Sequence, residues 1–163
     1  MNDTKCIVSL PSDLEVAFER GFEAPVQLVF DALTRPEHIA LWLGRRGDTM
    51  PICEVDLRVG GAWRYVWSLR EGGEMGMGGV YREIDAPNRI VSTEAFDEPF
   101  FDVMGAGTIN TTTFVERDGK TILTITSLYK SQAARDTALG TGMEGGIDEG
   151  FNRLVELLQS LQS

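Results

Sequence analysis

The sequence predicts an α+β domain in which a long C-terminal helix covers one face of an antiparallel sheet. Three observations indicate this class. Residues 52–129 consist mostly of strand-like runs, these runs are separated by hairpin signals, and residues 144–162 carry apolar side chains at helical spacing. Strands joined by hairpins form antiparallel sheets, and an apolar helix commonly covers one face of such a sheet.

The first elements are one strand and two short helices. Residues 14–22 alternate between apolar and charged side chains, which predicts a strand with one wet face. Pro25 suits a first helical turn, and the apolar residues over 26–33 have helical spacing. Pro36 restarts the chain, and the apolar residues over 39–43 indicate a second short helix.

Residues 52–129 are expected to form about six strands. Turn signals separate the runs at 60–61, 70–74, 85–89 and 117–120. The strongest signal is Asp118-Gly119, which lies between two strand-like runs and is typical of a tight hairpin.

The C-terminal segment 131–162 is predicted to be helical. Its apolar residues occupy one face of a helix; they are Ile147, Phe151, Leu154, Val155, Leu158 and Leu161.

Five glycines lie at the start of this segment, within residues 139–150. On one continuous helix, Gly140 and Gly150 would lie on the buried side, and Gly142 and Gly145 would point outward. We expect the outward pair to soften the first turns, and we expect alanine at both positions to stabilise the fold if both are helical.

Length and charge limit the classes of function. The chain has 163 residues, and we expect a flexible N-terminal tail over 1–12 and a single domain over 13–163. A net charge of -10 disfavours binding to nucleic acids and to anionic membranes, so neither partner is expected.

We see no signal peptide and no apolar run of membrane-spanning length. Cys6 and Cys53 are typical of reduced thiols, so a cytoplasmic location is predicted.

Four segments resemble, in the same order, those of the START-like or SRPBCC superfamily, which has the helix-grip fold. They are "FEAPVQLVFDALTRPEHIALWLG" (22–44), "CEVDLRVGGAWRYVW" (53–67), "GVYREIDAPNRIVSTEAFD" (79–97) and "YKSQAARDTALGTGMEGGIDEGFNRLVELL" (129–158). The chain looks most similar to the homologues of the activator of the heat-shock-ninety ATPase. This resemblance implies a curved seven-stranded antiparallel sheet, two short helices, and a long C-terminal helix across the concave face. It also implies a cavity between sheet and helix, which binds apolar ligands in the superfamily.

Aromatic and methionine side chains are the candidate ligand contacts. Trp63, Tyr65 and Trp67 share one strand face, and Met75, Met77 and Tyr81 share a face of the next strand. Such a surface suits an apolar ligand, although the same pattern also occurs in plain cores. The full set of candidates is Trp42, Trp63, Tyr65, Trp67, Met75, Met77, Tyr81, Phe96, Phe101, Met104, Met143, Ile147 and Phe151. The segment 97–106 is either a lid over the cavity or a loop against the core.

Catalytic signals are weak. Glu94 is the one candidate acid or base, and it lies on a largely apolar strand; it could face inward, face solvent, or pair with Arg82 or Arg64. His38 is the only histidine, so neither a metal site nor a triad is supported, and no cofactor is expected.

The leading hypothesis from the sequence is a small soluble protein that holds a hydrophobic or aromatic small molecule between the sheet and the C-terminal helix. Two alternatives stay open: a cavity enzyme of cyclase, dehydratase or hydrolase type, and a module resembling the chaperone-ATPase activator. Binding is favoured over catalysis. A homodimer is open, and a chaperone partner is not favoured, because the sequence contains no counterpart of the eukaryotic activator's separate N-terminal domain.

Overall fold

The structure of the protein is a computed structural model that describes residues 5–97 and 107–163. In these ranges the elements, in chain order, are β1 (Ile7–Ser9), β2 (Glu15–Phe22), α1 (Val26–Thr34), α2 (Pro36–Trp42), β3 (Thr49–Val55), β4 (Ala62–Ser68), β5 (Glu74–Asp85), β6 (Arg89–Phe96), β7 (Thr108–Arg117), β8 (Lys120–Leu128), α3 (Gln132–Leu139) and α4 (Met143–Gln162).

The strands in the described part of the chain form one open antiparallel sheet. Its order is β1-β2-β8-β7-β6-β5-β4-β3. The α+β class is confirmed, but the expected number of seven strands is wrong, because the described residues form a sheet of eight. The additional strand is β1, which lies inside the segment 1–12 and pairs Val8 with Phe18. A strand of three residues shows too little alternation to be recognised, since its pairing uses backbone groups of any sequence.

The helices differ from the prediction in one respect. The two short helices are present as α1 and α2, but the C-terminal segment is divided into α3 and α4. Residues 5–97 and 107–163 therefore contain three short helices and not two. Ser131 begins α3 by accepting a hydrogen bond from the Ala134 backbone N–H at 3.0 Å. Gly142 then precedes α4 with φ of 80°, in the left-handed region that favours glycine, and this conformation breaks the helix.

The part of α4 from Phe151 onward packs against the rest of the protein. Phe151, Leu154 and Leu158 are buried. The Phe151 ring contacts Phe22 edge-on, with a centroid distance of 5.7 Å, and stacks with Trp42 at 6.3 Å. This packing fixes α4 against β2 and α2 at Phe151. Nearer the start of α4, a Cβ atom at Gly146 would have no atom within 4 Å.

α4 packs against the loop that follows α2 at Gly150, where a Cβ atom would also fit. A Cβ atom at Gly150 would lie 3.6 Å from the backbone nitrogen of Gly44, which is ordinary van der Waals contact. Arg153 strengthens this junction by donating hydrogen bonds to the carbonyl oxygens of Leu41 at 2.7 Å and Gly44 at 3.2 Å.

Candidate functional site

A cavity of about 670 Å³ lies between the sheet and the N-terminal half of α4. Most of the predicted contact residues line it: Trp42, Trp63, Tyr65, Trp67, Met75, Met77, Tyr81, Phe96, Met143, Ile147 and Phe151. The other two, Phe101 and Met104, lie outside the described residues, as does most of the segment 97–106 that was predicted as a lid or a tucked loop.

Three aromatic rings on β4 form one part of the cavity wall. Trp63, Tyr65 and Trp67 point to the same face because side chains alternate along a strand. Their ring centroids are separated by 4.7 Å for the first pair and 6.0 Å for the second. The Trp67 indole donates a hydrogen bond to the Leu43 carbonyl at 3.3 Å, so this ring is fixed to the loop after α2.

The wall continues onto β5 through the strand register. Met77 lies opposite Tyr65, and Met75 lies opposite Trp67. Methionine side chains are flexible and polarizable, so they can adapt to ligands of different shape. Trp63 lies opposite Gly79, where a Cβ atom would be 1.9 Å from the Thr93 carbonyl oxygen. Only glycine fits at this position.

The far side of the cavity carries polar groups from β6, β7 and β8. Their register places Asn110 opposite both Ser92 and Ser127, and all three residues line the cavity together with Glu94. Ser127 Oγ–H donates to Asn110 Oδ1 at 2.7 Å. Because this oxygen is occupied, the Asn110 amide group is oriented to donate to the Glu94 carboxylate, with which it forms a side-chain hydrogen bond.

Glu94 is half-buried and lies within this polar group. Desolvation by burial raises the pKa of its carboxyl to about 7, although the hydrogen bond from Asn110 acts in the opposite direction. Burial also raises the pKa of Tyr129 to about 12, with a smaller contribution from the Glu94 charge. The direction of Glu94 was left open by the sequence. The structure turns it toward the cavity, and Arg64 instead forms an ion pair with Asp97, with Nη1 3.0 Å from Oδ1.

An ion cluster that sequence reasoning missed also lines the cavity. Arg45 contacts Asp48 at 3.0 Å and Glu71 at 2.7 Å. Burial alone would raise the pKa of Asp48, but hydrogen bonds from Arg45 and from the Arg70 backbone N–H hold it below its ordinary value. Arg45 and Asp48 lie in one loop, but Glu71 comes from another, so no spacing in the sequence indicates that Arg45 and Glu71 meet.

The start of α4 supplies the remaining side of the cavity. Gly142, Gly146 and Gly150 line it, and a Cβ atom at Gly146 would have no atom within 4 Å. The expected placement of Gly140 inside one continuous helix is wrong, because α3 has already ended there. The expected placement of Gly142 inside the helix is also wrong, since this residue precedes α4; it is exposed and also lines the cavity. Gly145 is exposed.

Other kinds of site receive little support from the described residues. Within 5–97 and 107–163, no three His, Cys, Asp or Glu side chains are placed together so that they could hold a metal ion. His38, on α2, is half-buried. Cys6 and Cys53 are free thiols. No helix in the same ranges is both long enough and apolar enough to cross a membrane.

The sheet, the long helix and the space between them define a helix-grip domain of the START-like class. The chain belongs to the family described as "Activator of Hsp90 ATPase homolog 1-like protein", whose model matches residues 23–159. This match confirms the resemblance drawn from the sequence. No curated protein matches the chain.

Solved structures of similar proteins share this fold. A protein from Rhodobacter sphaeroides is 27% identical with a TM-score of 0.87, over 96% of this chain and 99% of that chain. A protein from Staphylococcus epidermidis is 26% identical with a TM-score of 0.79, over 94% and 93% of the two chains. An AHSA1-like protein from Aeromonas hydrophila is 20% identical with a TM-score of 0.67, over 86% and 92%, and supports the fold alone.

Proposed function

We propose that this protein binds a hydrophobic or aromatic small molecule in the cavity between the sheet and α4. The observation that carries the proposal is the cavity itself, with a volume of about 670 Å³ and a wall of aromatic and methionine side chains. Small-molecule sites in proteins typically enclose roughly 300–1,000 Å³ and are lined mainly by apolar groups with a few polar ones.

A packing defect does not account for a space of this size. Interiors are close-packed, and an empty cavity costs about 24 cal/mol per Å³. This cavity is also partly open to solvent, so water can enter it. The cavity is therefore filled by water or by a ligand, and an apolar ligand gains free energy by displacing water from apolar walls.

The aromatic wall is also held in place by hydrogen bonds, so it can discriminate between ligands of different shape. The Trp42 indole donates a hydrogen bond to the Ala32 carbonyl at 2.8 Å, and the Trp67 indole is held by Leu43. Fixed rings lose little conformational freedom when a ligand binds, so more of the contact energy contributes to affinity.

Tryptophan fluorescence provides a direct test, because all three tryptophans of the sequence line the cavity. A panel of apolar probes, from octanol to naphthol, is titrated into the purified protein, and a thermal-shift assay is run in parallel. We expect saturable changes in emission together with higher melting temperatures. If no probe produces either effect, the proposal fails.

Two glycine variants supply a matched control. Gly146→Leu places a side chain into the open space of the cavity, whereas Gly145→Leu adds the same group to the exposed face of α4. We expect the first variant to weaken probe binding by at least about tenfold, because the bound molecule and the new side chain would overlap. Binding to the second variant stays close to that of the unmodified protein. Equal effects of the two variants would place the bound probe outside the cavity.

A further inference from the structure

The polar side of the cavity contains one carboxylate, Glu94, that has no basic partner among the described residues lining the cavity. Among the described lining residues the acidic ones are Asp48, Glu71 and Glu94, and the only basic one is Arg45. Arg45 already forms ion pairs with both Asp48 and Glu71. Glu94 is hydrogen-bonded instead by the neutral side chain of Asn110.

Among the described residues, the Glu94 carboxylate keeps acceptor positions beyond the one that Asn110 occupies. A carboxylate offers about four acceptor positions, and one bond from Asn110 leaves several of these free. Asn110 Oδ1 is directed to Ser127. A ligand group that donates hydrogen bonds would therefore complete this part of the cavity, and a cationic donor would also balance the charge.

The aromatic wall strengthens the preference for a cation. The rings of Trp63, Tyr65 and Tyr81 line the same cavity as Glu94, and the faces of such rings attract ammonium groups. Burial raises the pKa of Tyr65 well above its ordinary value, so its hydroxyl stays neutral. Glu94 is then the charged group that a cation would pair with in this part of the cavity. A negatively charged ligand would meet the Glu94 carboxylate, and the one described lining cation, Arg45, is already paired with Asp48 and Glu71. The net charge of -10 also disfavours an anion.

We propose that the ligand is an organic amine, with an apolar body against the aromatic and methionine wall and an ammonium group bound by the Glu94 carboxylate. This inference rests on the proposed function of the cavity and assigns a chemical class to its ligand. The ammonium donates to the free carboxylate oxygen positions of Glu94, and the apolar body occupies the space along β4 and β5.

Three probes with the same chain and different head groups test the assignment: octylamine, octanol and octanoate. Dissociation constants are measured by tryptophan fluorescence at about pH 8, where a carboxyl with a pKa near 7 is mostly ionised. We expect octylamine to bind about tenfold more tightly than octanol or better. A hydrogen bond to a charged group is about 1–1.5 kcal/mol more favourable than one between neutral groups, which corresponds to about tenfold in the dissociation constant. Octanoate is expected to bind most weakly.

The Glu94→Gln variant removes the charge and retains the shape. We expect octylamine to bind this variant no more tightly than octanol does, while the affinity for octanol changes by less than about threefold. Glu54→Gln is the control, because it removes one negative charge at an exposed position outside the cavity. This control is expected to keep the preference for the amine.

The outcomes separate the two proposals. If octanol binds and octylamine binds no better to the unmodified protein, the amine assignment is overturned and cavity binding stands. The assignment is also overturned if Glu94→Gln retains the full preference for octylamine. If none of the three probes binds the unmodified protein while an aromatic probe such as naphthol does, the amine assignment is overturned and cavity binding stands. If no probe of either set binds, cavity binding fails, and the amine assignment fails with it. The comparison within the unmodified protein needs no variant, so misfolding of Glu94→Gln would not prevent a decision.

Discussion

Replacing Glu94 with glutamine tests whether this carboxyl is enclosed as the structure shows. The pKa of Glu94 is about 7 in the folded protein, against an ordinary value of 4.5. The folded state therefore favours the protonated form. The contribution of Glu94 to stability is fully present below pH 4.5 and is lost as the pH rises through 7.

The magnitude follows from the difference between the two pKa values. Each unit corresponds to about 1.4 kcal/mol, so ionised Glu94 lowers the free energy of unfolding by up to about 3 kcal/mol, and by less if water in the cavity solvates the carboxylate. Glutamine does not titrate. The difference in stability between the unmodified protein and Glu94→Gln should therefore shift by this amount between about pH 4 and pH 8, in favour of the variant at the higher pH.

Urea denaturation of both proteins across this pH range measures the effect. The free energy of unfolding is obtained at each pH by linear extrapolation. Subtracting one curve from the other removes the contributions of the titrating groups that the two proteins share. Parallel curves would show that the Glu94 carboxyl is as well solvated in the folded protein as in the unfolded chain, and the description of this site would then be wrong.

Two further predictions concern α4. Gly142→Ala should lower the free energy of unfolding by about 1–2 kcal/mol, because φ is 80° at this residue. Gly145→Ala should raise it by roughly 0.5–1 kcal/mol, because this residue lies inside the helix with open space around it. If thermal denaturation gave both changes the same sign, the break before α4 would be contradicted. Phe151→Ala should cost about 3–5 kcal/mol, since the ring is buried against Phe22 and Trp42, and the milder Phe151→Leu serves as its control in the same urea assay.

Periodicity explains why much of the architecture could be predicted. The alternation of Trp63, Tyr65 and Trp67 along β4 was visible in the sequence, and these rings share one face of the sheet. The spacing from Ile147 to Leu158 likewise predicted the apolar face of α4. In both cases a local repeat reflects one buried surface.

Features that depend on distant partners were not predictable from local patterns. The orientation of Glu94 depends on Asn110 and Ser127, which come from two other strands. The contact between Arg45 and Glu71 joins two loops. The break before α4 depends on a left-handed backbone at Gly142, which the helical composition on either side of it conceals.

The two halves of α4 differ in what they contribute, and this difference has a consequence for engineering. The half that begins at Gly150 carries the buried side chains Phe151, Leu154 and Leu158, while Met143, Gly146 and Ile147 mainly face the cavity. Substitutions in the first group therefore change stability, and substitutions in the second group change the shape of the space. A combinatorial library confined to positions 143, 146 and 147 should yield variants with new ligand preferences, most of which still fold.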